Sequence, residues 1–193
     1  MPIPLFSLED DLWWTTKAVL PSWKGFQSRK CAYGAQEAAI PSDGLVRIVF
    51  APEGRGTEPL TSSEVSSVVW AIENEAPLSK ALISSLLKEY PSLQEQYAYS
   101  GKEKDERMPD IKSADHLRAL IGLHCLNVHP IQKHGIPYVG FEFGCTWDEE
   151  HGLGVLMHGT RTVKIGGADI AILQWIAEED ANKILPPDVQ FDL

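Results

Sequence analysis

The sequence predicts an α+β fold: an antiparallel sheet of about six strands, a meander of hairpins in its C-terminal half, with a helical pair inserted after the second strand. Two observations predict it. "PYVGFEFGCTW" (137–147) alternates with the period of a strand, and "LGVLMH" (153–158) and "RTVKI" (161–165) follow as a second pair. Between Thr61 and Tyr90 the apolar spacing changes to that of a helix. At 193 residues the chain can build one sizeable core and is marginal for two. We therefore read 1–193 as a single domain, with 61–110 as a helical insertion and charged connector.

"LWWTTKAVL" (12–20), rich in β-branched and aromatic residues and stopped by Pro21, predicts the first strand. "GLVRIVFAP" (44–52) alternates Leu45, Arg47 and Val49 against Val46, Ile48 and Phe50, and predicts the second. "EGRGTEP" (53–59) is a loop. "TSSE" then places the Thr61 hydroxyl three residues before Glu64, a capping box in which each side chain satisfies the other's backbone amide. Val65, Val68, Val69 and Ile72 continue that helix. Pro77 fits the first turn of the next helix, whose buried face is Leu78, Leu82, Leu86 and Tyr90, and Pro91 is expected to end it. "KEKDERMPD" (102–110) has no apolar face and reads as a solvated connector.

"SADHLRAL" (113–120) predicts a short helical turn capped by Ser113. "ALIGLHCLNV" (119–128) and 137–147 form the first hairpin, turning at "QKHG" (132–135). On its second strand Val139, Phe141, Phe143, Cys145 and Trp147 share one face, which makes Trp147 a core residue. Tyr138, Gly140, Glu142, Gly144 and Thr146 share the other. The second hairpin joins across Gly159 and Thr160. "GGAD" (166–169) turns the chain into a helix over 170–185 with Ile170, Leu173, Ile176 and Ala177 on its packed face. Pro186 and Pro187 start the tail.

Acidic residues outnumber basic ones 27 to 17, giving a net charge of −10. That field repels phosphate backbones, so a nucleic-acid partner is not expected, and it favours a basic protein partner. No apolar run approaches the roughly 20 residues that span a bilayer, so a membrane partner is not expected either. Cys31, Cys125 and Cys145 are an odd and sparse set, better read as reduced thiols than as a disulfide framework. "MPIPLFSLEDDLWW" has early acids and no basic leader, unlike a signal peptide. The expected compartment is the cytoplasm.

The candidate site is "WDEEHGLGV" (147–155), three carboxylates and a histidine between the two hairpins. As plain structure it is a polar turn, with Asp148 bonding nearby amides and Gly152 supplying positive φ. Three functional readings stand beside that one. Asp148, Glu150 and His151 carry the residue types of acid–base catalysis. Asp148, Glu150, His151, His158 and Asp169 could converge on a metal, although their spacing matches no known ligand pattern. Asp148, Glu149, Glu150, His151 and Asp169 could dock a basic surface. No nucleophile elbow, phosphate-cradling loop or cofactor motif accompanies them, so we expect no cofactor and lean away from an enzyme.

"YVGFEFGCTWDEEHGLGVLMHGTRTVKIGGAD" (138–169) resembles a family of bacterial domains of unknown function. That family is marked by a strand ending in W-D-x-E-H-G-L-G-V, then a short hairpin and I-G-G-A-D. The matching residues are Trp147, Asp148, Glu150, His151, Gly152, Leu153 and Gly154, with Gly166, Gly167, Ala168 and Asp169. The order of the N-terminal strands and helical pair is similar more loosely. The resemblance implies no established reaction. Small acidic bacterial domains of this kind are compared with immunity proteins, and by that analogy the expectation is a non-enzymatic binding domain, an immunity-type inhibitor of a basic toxin. The alternatives are a small hydrolase or metal-dependent enzyme built on the same turn, and a structural or regulatory domain.

Overall fold

The computed structural model describes residues 4–28 and 41–183. Cys31 and the tail beginning at Pro186 lie outside the described residues. The described residues form a seven-stranded sheet whose strands lie side by side in chain order. They are β1 (Ser7–Glu9), β2 (Trp13–Val19), β3 (Leu45–Phe50), β4 (Ile121–Lys133), β5 (Ile136–Cys145), β6 (Leu153–His158) and β7 (Arg161–Gly166). The expected strands and both hairpins are present, and the expected sheet is corrected at two points. Ser7–Glu9 adds an edge strand of only three residues, too short for alternation to show. And β3 pairs with β4 in parallel, while the other neighbours are antiparallel. The helical insertion between them is the long crossover that a parallel pair requires.

That insertion holds α1 (Ser62–Glu73), α2 (Glu75–Tyr97), α3 (Gly101–Arg107) and α4 (Ala114–Leu117). The capping box opens α1: Glu64 N–H donates to Thr61 Oγ1 at 3.3 Å, and Thr61 N–H to Glu64 Oε2 at 2.7 Å. Ser113 sits at the N-cap of α4, without a side-chain bond. Two expectations fail. Pro91 does not end α2, which runs on to Tyr97. An interior proline costs a helix about 3 kcal/mol, but Tyr90 and Leu93 on either side are buried, and the packing of that face carries the helix through. The connector is also helical over Gly101–Arg107. It buries none of its residues, and instead sets Lys102–Glu106 and Glu103–Arg107 one turn apart, each at 3.4 Å.

The main core lies between α1, α2 and one face of the sheet. Val68, Leu78, Leu82 and Leu86 meet Ile48, Leu126, Val139, Phe141, Phe143, Cys145 and Trp147 there. Five alternate residues of 139–147 thus face inward, as the period-2 reading expects. The other face carries a smaller cluster of Tyr138, Leu156, Ile170, Ile176 and Ala177. It forms because the expected C-terminal helix is split into a 3-10 turn (Ala168–Ala171) and α5 (Gln174–Asn182), which lie on the sheet; residues 184 and 185 fall outside the described set. The approach is close enough that only glycine fits beneath it. A Cβ on Gly154 would stand 2.3 Å from Gly167 O, and one on Gly140 2.0 Å from Ala171 O. No helix among the described residues is long and apolar enough to cross a membrane.

Candidate functional site

The Asp148–His151 turn joins β5 to β6, and the residue before it anchors it. Trp147 is 1% exposed and meets Tyr90 edge-on at 5.8 Å. Asp148 then closes the turn. Its Oδ1 accepts the His151 backbone N–H at 2.8 Å, and its backbone carbonyl accepts Gly152 N–H at 2.9 Å. Gly152 has φ +64°, and a Cβ there would lie 2.6 Å from Phe143 O, so the positive φ expected of it is present and no side chain fits.

The second partner of Asp148 comes from far along the chain. Tyr97, the last residue of α2, donates its hydroxyl to Asp148 Oδ2 at 2.8 Å. Tyr99 donates to Trp147 O at 2.8 Å. Burial opposes ionisation of Asp148, but the hydrogen bonds from the His151 amide, from Tyr97 and from the His151 ring outweigh it and hold its carboxyl below the ordinary value. Burial, the bond to Asp148 and its charge push the Tyr97 phenol up, so it stays a donor. These tyrosines are the residues that the sequence reading missed. Their signal was the "YAY" following Pro91, which counts only if α2 continues that far.

The remaining residues of the turn face outward. Glu150 and His151 are exposed, and the His151 ring Nδ1 lies 3.1 Å from Asp148 Oδ1. Glu149 pairs with Arg107 at the end of α3 at 3.9 Å. The "GGAD" turn comes alongside: Ala168 N–H donates to His151 O at 2.9 Å, and Asp169 is exposed next to it. The structure thus groups Asp148, Glu149, Glu150, His151 and Asp169 at one end of the sheet.

His158 stands apart. It pairs with Tyr138 in the β5–β6 register while Leu153, at the turn, pairs with Phe143, so about 17 Å of strand separates the two ends. Its ring is fully buried, stacks on Tyr138 at 4.6 Å and lies 3.0 Å from Lys133 O. Burial lowers its pKa and keeps it neutral. Among the described residues no group of three or more His, Cys, Asp or Glu side chains is placed to hold a metal ion. Beside His158, Asp180 of α5 is 5% exposed; it accepts the Tyr138 hydroxyl at 2.8 Å and is held by both terminal nitrogens of Arg161. This group locks α5 to the second hairpin.

Chemically, the turn offers a carboxylate-oriented imidazole and exposed carboxylates on a fixed backbone. The Cys145 thiol below it is fully buried, 3.5 Å from Asp148 O, and presents no nucleophile to solvent. No curated protein and no solved structure matches the chain. A family model does, over residues 15–173, a span that contains the sheet from within β2 to β7, the helical insertion and the turn. The chain belongs to the family of that model, the domain of unknown function DUF6985.

Proposed function

We propose that the protein is a non-enzymatic binding domain that docks a basic protein at the end formed by the Asp148–His151 turn, Asp169 and α3, as an immunity-type inhibitor docks a basic toxin. The observation that supports this reading is the division of roles within the turn. Asp148 is committed to Tyr97 and the His151 amide, while Glu150 and His151 stand exposed on the backbone so fixed. A preformed loop loses little conformational entropy on docking. Glu149 and Glu103 share Arg107 beside it, and the net charge of −10 attracts a basic partner at long range.

The test is affinity capture from cell lysate at low and high salt, with the wild type and with Glu149→Gln/Glu150→Gln. The expected result is a basic protein held at low salt, released at high salt and lost with the double variant, whose melting temperature is unchanged. Equal recovery by the double variant, or no salt-sensitive partner, overturns the reading.

The enzyme alternative has one observation in its favour, the imidazole of His151 oriented by Asp148 at 3.1 Å. The same geometry weakens it. The His151 side chain is 67% exposed, and acid–base chemistry gains most where water is excluded.

A further inference from the structure

The sheet face opposite α1 and α2 carries a second feature, independent of the turn. Beside Ile172, a cleft of about 230 Å³ opens over β2 to β5, lined by Trp13, Arg47, Val49, Asn127, Glu142 and Ile172. Its charges divide unequally. Arg47 is neutralised by Glu9, whose Oε2 lies 2.6 Å from the guanidinium, and its other terminal nitrogen is 3.9 Å from Cys125 Sγ. Burial pushes the Cys125 thiol up to about 12, so it adds no charge.

Glu142 is the uncompensated group. Across the sheet it stands between Cys125 on β4 and Gly154 on β6. Along β5 its neighbours on the same face are Gly140 and Gly144. These four positions supply one thiol and no other side chain. Among the described residues its carboxylate receives one side-chain hydrogen bond, a long one of 3.4 Å from Asn127 Nδ2, and pairs with no Lys, Arg or His. Asn127, 2% exposed, is oriented for that bond because its Oδ1 accepts from Cys125 Sγ at 3.6 Å. The carboxylate is half-buried in the cleft and has no counter-charge among the described residues, and a cation arriving from outside would supply one through a charge-assisted hydrogen bond.

We propose that this cleft is a binding site for a primary organic ammonium group. The R–NH3+ pairs with Glu142, and the hydrocarbon behind it lies on Val49, Ile172 and the indole of Trp13. That indole is fixed by its Nε1–H, which donates to Pro52 O at 2.9 Å, and an aromatic wall favours a cation. The cleft is smaller than the roughly 300–1,000 Å³ of a drug-sized pocket, so it takes a short alkylamine or a single lysine side chain.

The test is titration of the full chain with n-butylammonium, with Nα-acetyl-lysine methylamide and with butyrate, read by calorimetry and by the NMR shifts of the Trp13 indole N–H and the Asn127 side-chain amide. The expected result is saturable binding of an amine but not of butyrate, with both reporter signals moving. Glu142→Gln, which keeps the shape and an acceptor for Asn127, weakens it by about tenfold or more. Tighter binding of the lysine derivative identifies a protein side chain as the source; tighter binding of butylammonium identifies a free amine. No saturation by either amine, stationary reporters, or equal affinity in Glu142→Gln overturns the proposal. The Glu149→Gln/Glu150→Gln variant leaves this binding unchanged, so the site and the docking turn stand or fall separately.

Discussion

Tyr97 and Asp148 are 51 residues apart in sequence and joined by a 2.8 Å hydrogen bond that ties the end of α2 to the turn between the two hairpins. It links the helical layer to the candidate site at a single oxygen. A hydrogen bond to an ionised acceptor exceeds a neutral one in strength, and Asp148 is ionised in the folded state because its carboxyl is held below the ordinary value.

Tyr97→Phe is therefore expected to destabilise the protein by about 1 kcal/mol, the half-exposed setting of the tyrosine reducing the full value. The effect depends on pH. A lowered folded pKa contributes stability that is present above the unfolded value, here 3.8, and lost as pH falls through the folded one. Urea unfolding of both proteins should show the gap at neutral pH and its closure in strong acid. A gap constant into strong acid would mean that Asp148 is not the partner that matters.

Gly152→Ala should cost more than Gly135→Ala. Both glycines have positive φ, at +64° and +77°. The φ strain alone costs about 1 kcal/mol at either. Only at Gly152 does the new methyl meet backbone, Phe143 O at 2.6 Å; at Gly135 nothing lies within 4 Å. Denaturant midpoints measured side by side check the order, and equal losses would refute the steric part.

These positions also show what the sequence made legible. Gly152 and Trp147 are local problems: a turn after a strand needs a polar tip and a glycine, and alternation assigns Trp147 to the face of Phe141. The Tyr97–Asp148 bond is not local. It depends on α2 passing Pro91, which the buried contacts of Tyr90 and Leu93 decide and no window of sequence contains. The cleft is partly legible, since alternation already sets Glu142 outward between two glycines. Its pairing with Asn127, and of Arg47 with Glu9, follows from the registers of five strands, one neighbouring pair of them parallel and one strand only three residues long. His158 illustrates the converse. A histidine in the right sequence neighbourhood lies at the wrong end of its strand.

Trp147→Ala removes an indole packed against Tyr90 within the main core. Truncating a buried tryptophan costs about 3–5 kcal/mol, a large part of the stability of a domain this size. The variant is expected to unfold or precipitate at ambient temperature, checked by near-ultraviolet circular dichroism. A native spectrum with native stability would require a different strand register.

Acid sensitivity above the carboxylate range should come from histidine. His129 on β4 is fully buried, with Nε2 3.1 Å from Ala171 O. Burial pushes its pKa down from 6.5 to about 4, the hydrogen bond to Ala171 opposing weakly. The unfolded chain thus binds the proton first. Stability is complete above the unfolded value of 6.5 and is lost as pH falls toward the folded one. Between pH 6.5 and 5, before carboxylates titrate, the loss from His129 is on the order of 1 kcal/mol. His158, lowered by burial in the same direction, adds to it. His129→Gln keeps a side-chain donor near Ala171 O but cannot titrate, so its unfolding free energy should fall less steeply across that window than the wild type's. The comparison rests on slopes and holds even if the variant is less stable at neutral pH; parallel slopes would show that the proton taken up on unfolding is not bound at His129.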